Sequence, residues 1–246
     1  MRKTAPYWVS GFLDLPADAH EAGSRFWENV TGWRRSAPRG DFGEFSTLEP
    51  PAGDATLRVQ RVFDGVSRMH VDLHVPDVRE AARQSLDAGA RLLADHASDG
   101  YIVTRTPGGL AVCFVDNPGA VPPPPTEWSP TLQSIPDQLC IDIPAHLHDQ
   151  ETAYWSTVTS RPLTEVPHHP EFLRLPAPGP RGLHLLLHRT NSPGQVQAHL
   201  DFATTNLPAE TTRHLHQGAT LLQTHPSWTT LLAPTGTPYC LTTRHP

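Results

Sequence analysis

A chain of 246 residues, 37% hydrophobic, is long enough for two small domains, each with its own core. The formal charge of −6 and pI near 6.2 supply no basic field for polyphosphate, which excludes nucleic acid as an expected partner and leans toward neutral or cationic small ligands. Three cysteines, Cys113, Cys140 and Cys240, form neither an even set nor a CxxC pair, so they read as reduced thiols of a cytoplasmic protein. The opening Met1-Arg-Lys-Thr is followed by an apolar stretch broken by Ser10 and Asp14, a poor signal peptide, and no apolar run is long enough to span a bilayer.

In chain order, a strand runs to Leu15, a helix from about Asp18 to Val30, and strands lie near Phe42–Leu48 and Leu57–Val62. From Met69 to Val75 the residues alternate, with Val71, Leu73 and Val75 on one face and His70, Asp72 and His74 on the other, the period of a half-buried strand. Pro76-Asp77 starts a helix over Val78–Ala88 and Gly89 stops it. Runs at Ala90–Ala94, Tyr101–Thr104 and Leu110–Val115 then read as strands, the last two joined through the turn signal Pro107-Gly-Gly109. The pattern is βαβββ, twice.

The whole of it then returns. His70-Val-Asp-Leu reappears as His199-Leu-Asp-Phe and Gly89-Ala-Arg-Leu-Leu93 as Gly218-Ala-Thr-Leu-Leu222, both 129 residues on. Leu13-Asp-Leu-Pro-Ala matches Ile141-Asp-Ile-Pro-Ala, Trp27 matches Trp155 and Leu57-Arg-Val-Gln-Arg matches Leu185-Leu-Leu-His-Arg at 128, while Pro107 to Cys113 matches Pro234 to Cys240 at 127. Shared order at nearly one offset marks a tandem duplication. The expected organisation is a first domain over residues 1–117, a proline-rich linker over 118–131, stiff and extended from Pro118 to Thr126, and a second domain over 132–246.

Three motifs carry a family resemblance over nearly the whole chain. These are His70-Val-Asp-Leu-His-Val-Pro-Asp-Val78, the closing Pro107-Gly-Gly-Leu-Ala-Val-Cys113 with its counterpart Ala233 to Leu241, and Phe26-Trp27 followed by Gly32-Trp33. Together they resemble the vicinal oxygen chelate superfamily of glyoxalase, bleomycin-resistance and dioxygenase proteins, most of all a glyoxalase-like actinobacterial subgroup. The resemblance implies an α+β fold of paired βαβββ units, four modules in two domains, each with a concave cleft.

Metal-using members of that superfamily take one ligand from each of four strands, hard oxygen donors and imidazole suiting a divalent ion. The matching residues here are Ser10, Arg58, His70 and Cys113, then Gln138, Leu186, His199 and Cys240. Arginine cannot ligate and leucine has no donor. With His plus Cys, and Gln138 in the second half, too few ligands remain, so no cofactor is expected, a degenerate divalent-metal site being the lesser alternative.

The inward positions are nonetheless polar. Strand alternation gives Asp14, Arg58, Gln60, His70, Asp72, His74 and Cys113 in the first half, and Gln138, Cys140, Asp142, His184, His188, His199, Asp201, Cys240 and Thr242 in the second. His70 with Asp72, and His199 with Asp201, are the candidate catalytic pairs, a histidine acting as general base near neutral pH; a purely structural role for them stays open. Arg58, Gln60, His74, Cys113, Gln138, His184, His188 and Cys240 are candidate ligand-binding residues. Trp27 and Trp155 read as core, and His168, His169, His214 and His216 as scattered surface residues.

Three functions follow. The first is a metal-independent protein that binds or sequesters a hydrophobic or aromatic metabolite or antibiotic. The second is a secondary-metabolism lyase, isomerase or cyclase using His and Asp or, less favoured, a divalent-metal enzyme of glyoxalase or dioxygenase type, and the third a scaffold with vestigial clefts. The expected partner is a small molecule, the chain acting as a single-chain pseudo-dimer or as a homodimer. One working pocket beside one supporting domain is expected, because Arg58 faces Leu186 and Gln60 faces His188 across the repeat.

Overall fold

A computed structural model describes residues 5–117, 119–176 and 182–246. Pro118, the first residue of the expected linker, and the charged start Met1 to Thr4 lie outside the described residues.

The first repeat runs β1 (Trp8–Pro16), α1 (His20–Thr31), β2 (Arg34–Arg35), β3 (Phe45–Glu49), β4 (Leu57–Val62), β5 (Arg68–His74), α2 (Val78–Asp87), β6 (Arg91–His96), β7 (Tyr101–Arg105) and β8 (Ala111–Val115). Its strands form one sheet in the order β2-β3-β4-β1-β5-β8-β7-β6. The second repeat follows with β9 (Thr126–Ser129), β10 (Leu132–Pro144), α3 (His148–Thr159), β11 (Thr164–Val166), β12 (His169–Leu175), β13 (His184–Thr190), β14 (Gln197–Thr204), α4 (Leu207–His216), β15 (Thr220–Thr224), β16 (Trp228–Leu232) and β17 (Pro238–Thr242). Its sheet has the order β11-β12-β13-β10-β14-β17-β16-β15, with β9 on β10. The fold is α+β and duplicated.

Local chemistry sets the boundaries. The Asp77 carboxylate accepts the Glu80 amide at 3.0 Å at the start of α2, and the Asn206 side chain does the same for the Ala209 amide at 3.2 Å in α4. Gly89, at φ 98°, ends α2 in a conformation that a side chain would strain. The short β2 has no alternating pattern to announce it.

Three expectations are corrected. The β5 strand is not half-buried: six of its seven residues, both faces included, are buried. It lies in the middle of its sheet, between β1 and β8, away from either edge. Residues 118–131 are not merely a spacer, since β9 lies within them and the Thr126 hydroxyl donates to the Thr31 carbonyl at 2.8 Å, at the end of α1. His214 is not a surface residue but 0% exposed.

The described residues group into two compact units, and each draws on both repeats. The first unit takes residues from Met1–Gly11, His70–Val121 and Leu139–Ala198, the second from Phe12–Met69, Pro122–Gln138 and His199–Pro246.

Within the first unit, Gln84 Nε2 on α2 donates to the Thr157 carbonyl near the end of α3 at 3.0 Å, and the Ser85 and Tyr154 hydroxyls meet at 2.9 Å. Glu151, 0% exposed, accepts the Gly108 amide at 2.5 Å and the Trp155 indole N–H at 3.0 Å. Gly108 is needed there, because an added Cβ would stand 2.8 Å from the Glu151 Oε1. Burial raises the Glu151 pKa, its hydrogen bonds offsetting part of the effect.

Within the second unit, Arg213 on α4 donates to the Asn29 and Val30 carbonyls of α1 at 3.1 and 2.7 Å. Its guanidinium carbon also sits 3.5 Å from the Trp128 ring centroid. Glu210 binds Arg213 Nε at 2.8 Å, His214 Nε2 at 3.0 Å and the Ser134 hydroxyl at 2.5 Å, and His214 Nδ1 reaches the Tyr239 hydroxyl at 2.9 Å. Burial pushes the Glu210 pKa up, but the Arg213 and His214 hydrogen bonds outweigh it and hold it down at about 2.

Trp27 and Trp155 are both 0% exposed, as core residues should be. Each buries roughly 200 Å². At roughly 25 cal/mol per Å² this is worth about 5 kcal/mol of transfer free energy.

Candidate functional site

In the first unit, β5 presents His70, Asp72 and His74 on one strand face, and the β5–β8 register sets Asp72 opposite Cys113. His70 Nε2 lies 3.7 Å from Asp72 Oδ1, and the donor atoms of His70, Asp72 and Cys113 all fall within 4.8 Å of one another. All three are buried, and burial raises the Cys113 thiol pKa. His74, 1% exposed, is held at both ring nitrogens, by the Ser10 hydroxyl at 2.8 Å on Nε2 and by the Asn117 carbonyl on Nδ1. A carbonyl can only accept, so Nδ1 carries the proton that is shared with Asn117.

The same unit contains part of the second repeat's polar set. His188 Nδ1 lies 2.7 Å from Asp142 Oδ1, both side chains are 30% exposed, and the His188 ring leans on Phe172 with centroids 4.5 Å apart. A pocket of about 260 Å³ opens here, lined by Asp142, Pro144, Thr190, Ser192, Gln195 and Gln197 among others. His184, half-buried, shares β13 with His188.

In the second unit, β14 carries His199 and Asp201, with Asp201 opposite Cys240 in the parallel β14–β17 register. His199 Nε2 stands 3.3 Å from Asp201 Oδ1 and 3.6 Å from Cys240 Sγ. The other carboxylate oxygen, Oδ2, accepts from Gln138 Nε2 at 2.6 Å and faces an Arg244 nitrogen at 3.7 Å. Arg244 is anchored in turn by both oxygens of Asp137. Arg58 and Gln60, also in this unit, are half-buried on β4, with the Arg58 guanidinium 5.9 Å from the Phe12 ring, and Asp14 pairs with Arg68 at 3.3 Å.

The structure therefore assembles the His-x-Asp pairs with their cysteines in both repeats, but not the four-strand ligand set of the superfamily. Gln138 turns its amide N–H to Asp201, and Leu186 offers no donor. Counting two or three ligands per half omitted Asp72 and Asp201, which lie on the same strand face as the histidines and complete three donors in each cluster. Sequence reasoning also missed Asp137 and Arg244. Asp137 lies next to Gln138, but nothing near Arg244 marks it.

Residues 12–115 and again 138–242 match the glyoxalase-like domain family. The chain belongs to that family, as two tandem copies of its domain. No curated protein matches the sequence. Among solved structures, it resembles a variant of 4-hydroxymandelate synthase from Streptomyces coelicolor at 14% identity and TM-score 0.63, covering 99% of this chain and 94% of that one. The Mn(II)-bound glyoxalase from Novosphingobium aromaticivorans aligns at 14% identity and TM-score 0.64, over 98% and 82% of the two chains. A complex of homoprotocatechuate 2,3-dioxygenase from Brevibacterium fuscum with 3,4-dihydroxyphenylacetate aligns at 14% identity and TM-score 0.65, over 99% and 83%. At such identities the likeness shows a shared fold. Among the described residues no helix is long and apolar enough to cross a membrane.

Proposed function

We propose that this protein binds a small organic molecule in the pocket beside Asp142, and that His188 exchanges a proton with it. The observation that carries the reading is the 2.7 Å pairing of His188 Nδ1 with Asp142 at a pocket of about 260 Å³. With Nδ1–H donated to the carboxylate, Nε2 bears the lone pair of a general base, and Asp142 stabilises the imidazolium once the proton is taken. Hydroxyl and amide groups of Thr190, Ser192, Gln195 and Gln197 supply directional contacts in the lining, and His188, packed on Phe172, reaches the pocket through Asp142. Neither binding nor proton exchange at this place needs a metal.

The acid–base role thus moves from His70 and His199 to His188, and His70 with Asp72 becomes a structural pair of the buried β5 strand. Hydroxylated aromatic acids are the first compounds to try, since one of the structural neighbours carries such a product in its name and another such a ligand. Titration with 3,4-dihydroxyphenylacetate and related acids should raise the unfolding temperature, and Asp142→Asn should weaken that rise. Product formation lost in His188→Ala, with binding retained, marks an enzyme. Binding without product marks sequestration, and no binding by any such acid removes the substrate class.

A further inference from the structure

The His199, Asp201 and Cys240 side chains are held more deliberately than a structural hydrogen-bond cluster requires. Asp201 Oδ2 is fixed by Gln138 at 2.6 Å, with Arg244 at 3.7 Å, so the carboxylate cannot swing away from its neighbours. Asp201 Oδ1 points into the cluster, is buried and accepts no hydrogen bond, although His199 Nε2 is only 3.3 Å away. A buried carboxylate oxygen without a donor is costly, and a cation removes that cost.

The spacing suits one. Donors at about 2.0–2.3 Å from a tetrahedral ion lie about 3.3–3.7 Å from each other, given typical zinc–nitrogen, zinc–oxygen and zinc–sulfur lengths. The observed separations from His199 Nε2 are 3.3 Å to the carboxylate and 3.6 Å to the thiol sulfur. We propose that His199, Asp201 and Cys240 form a three-ligand site for a single divalent ion of the zinc type, with Gln138 and Arg244 orienting the carboxylate.

The donor set differs from that of the superfamily: His199 and Cys240 keep two of its four positions, but a thiol stands for an oxygen donor there, and Asp201 is a donor from outside the set. One sulfur, one imidazole and one carboxylate select a borderline ion such as Zn²⁺ or Co²⁺ over Mg²⁺ or Ca²⁺. Three protein ligands leave a fourth position open, and the His199 side chain, 12% exposed, keeps a route to solvent. Gln138 stands where metal-using relatives place a ligand, yet here it supports one from outside.

The first repeat has the same three residue types, with other residues at the two orienting positions. Ser10 replaces Gln138 and bonds His74, and Asn117 stands where Arg244 does. The two clusters therefore serve as each other's control.

The test is a titration of purified, metal-stripped protein with Zn²⁺ and with Co²⁺. Expected are one equivalent of metal per chain after dialysis and, for Co²⁺, tetrahedral d–d absorption with a thiolate-to-cobalt charge-transfer band. Asp201→Asn and Cys240→Ser should abolish stoichiometric binding. Gln138→Leu should weaken it about tenfold to a hundredfold, as loss of an outer support does, and Cys113→Ser should leave it unchanged. Circular dichroism of the metal-free variants separates a lost ligand from a lost fold. The proposal is overturned if no metal is retained, if a folded Cys240→Ser retains it with the same spectrum, or if Cys113→Ser removes it. No organic ligand enters the titration, so its outcome is independent of binding at His188.

Discussion

The two compact units solve the same packing problem with opposite side chains. In the first, Glu151 reaches across to Gly108; at the matching places in the second, Gly23 meets Thr235, and a Cβ on Gly23 would stand 2.6 Å from the Thr235 methyl. The bulk has moved from one side of the contact to the other. Trp155 donates its indole N–H to Glu151, whereas Trp27, facing a glycine instead, is buried with no partner for its Nε1. Charge has moved as well: the second unit gathers Glu210, Arg213 and His214 where the first has Ala81, Gln84 and Ser85. Duplication preserves the backbone frame and lets each pair of contacting positions find its own answer.

The largest expected effect comes from breaking the charged answer. Glu210→Ala leaves Arg213 and His214 without their carboxylate in a buried place and should cost about 3–5 kcal/mol, read from urea unfolding. Glu151→Ala should cost less, about 2–3 kcal/mol, because it strands two neutral donors, the Gly108 amide and the Trp155 indole.

The same two acids give opposite pH dependences. Glu210 has its folded pKa depressed, so its contribution is complete above its ordinary value and is lost as the pH falls from about 4.5 toward about 2. Glu151 has its folded pKa raised, so its contribution is complete at low pH and disappears as the pH rises through the raised value. Each can change the slope of stability against pH by at most about 1.4 kcal/mol per unit. Urea unfolding of Glu210→Gln and Glu151→Gln across the acid range should show the low-pH loss reduced in the first and the loss on raising pH reduced in the second. Equal pH profiles would erase the contrast. Ser10→Ala is the smallest change, about 1 kcal/mol, through the lost bond to His74.

Much of this architecture is legible in the residues. The repeat at 127 to 129 positions finds the paired βαβββ modules, Leu57–Val62 is placed without error, and Asp77 and Gly89 bracket α2 as capping chemistry says they should. Period-2 alternation failed at β5, because alternation tells which residues share a face but not whether something covers the second face. His214 looked like one of many scattered histidines; its burial depends on Tyr239 and Glu210, one far away in sequence and the other a turn away on a helix whose orientation the local pattern does not fix. The candidate site was legible by residue type, not by partner. His188 could be picked from its strand face and Asp142 from another, but that they meet at 2.7 Å is a property of strand order. Asp72 and Asp201 were visible from the start and were discounted as donors only because counting followed a different set of positions.

The grouping of residues into units that draw on both repeats bears on how the chain comes together. Neither the part before the proline-rich stretch nor the part after it contains all of one compact unit; each holds fragments of both. The pieces of each unit that lie on opposite sides of that stretch are held together in one chain by one covalent connection, which sets their effective concentration. A nick in that stretch would turn the protein into an obligate two-chain complex whose stability varies with dilution.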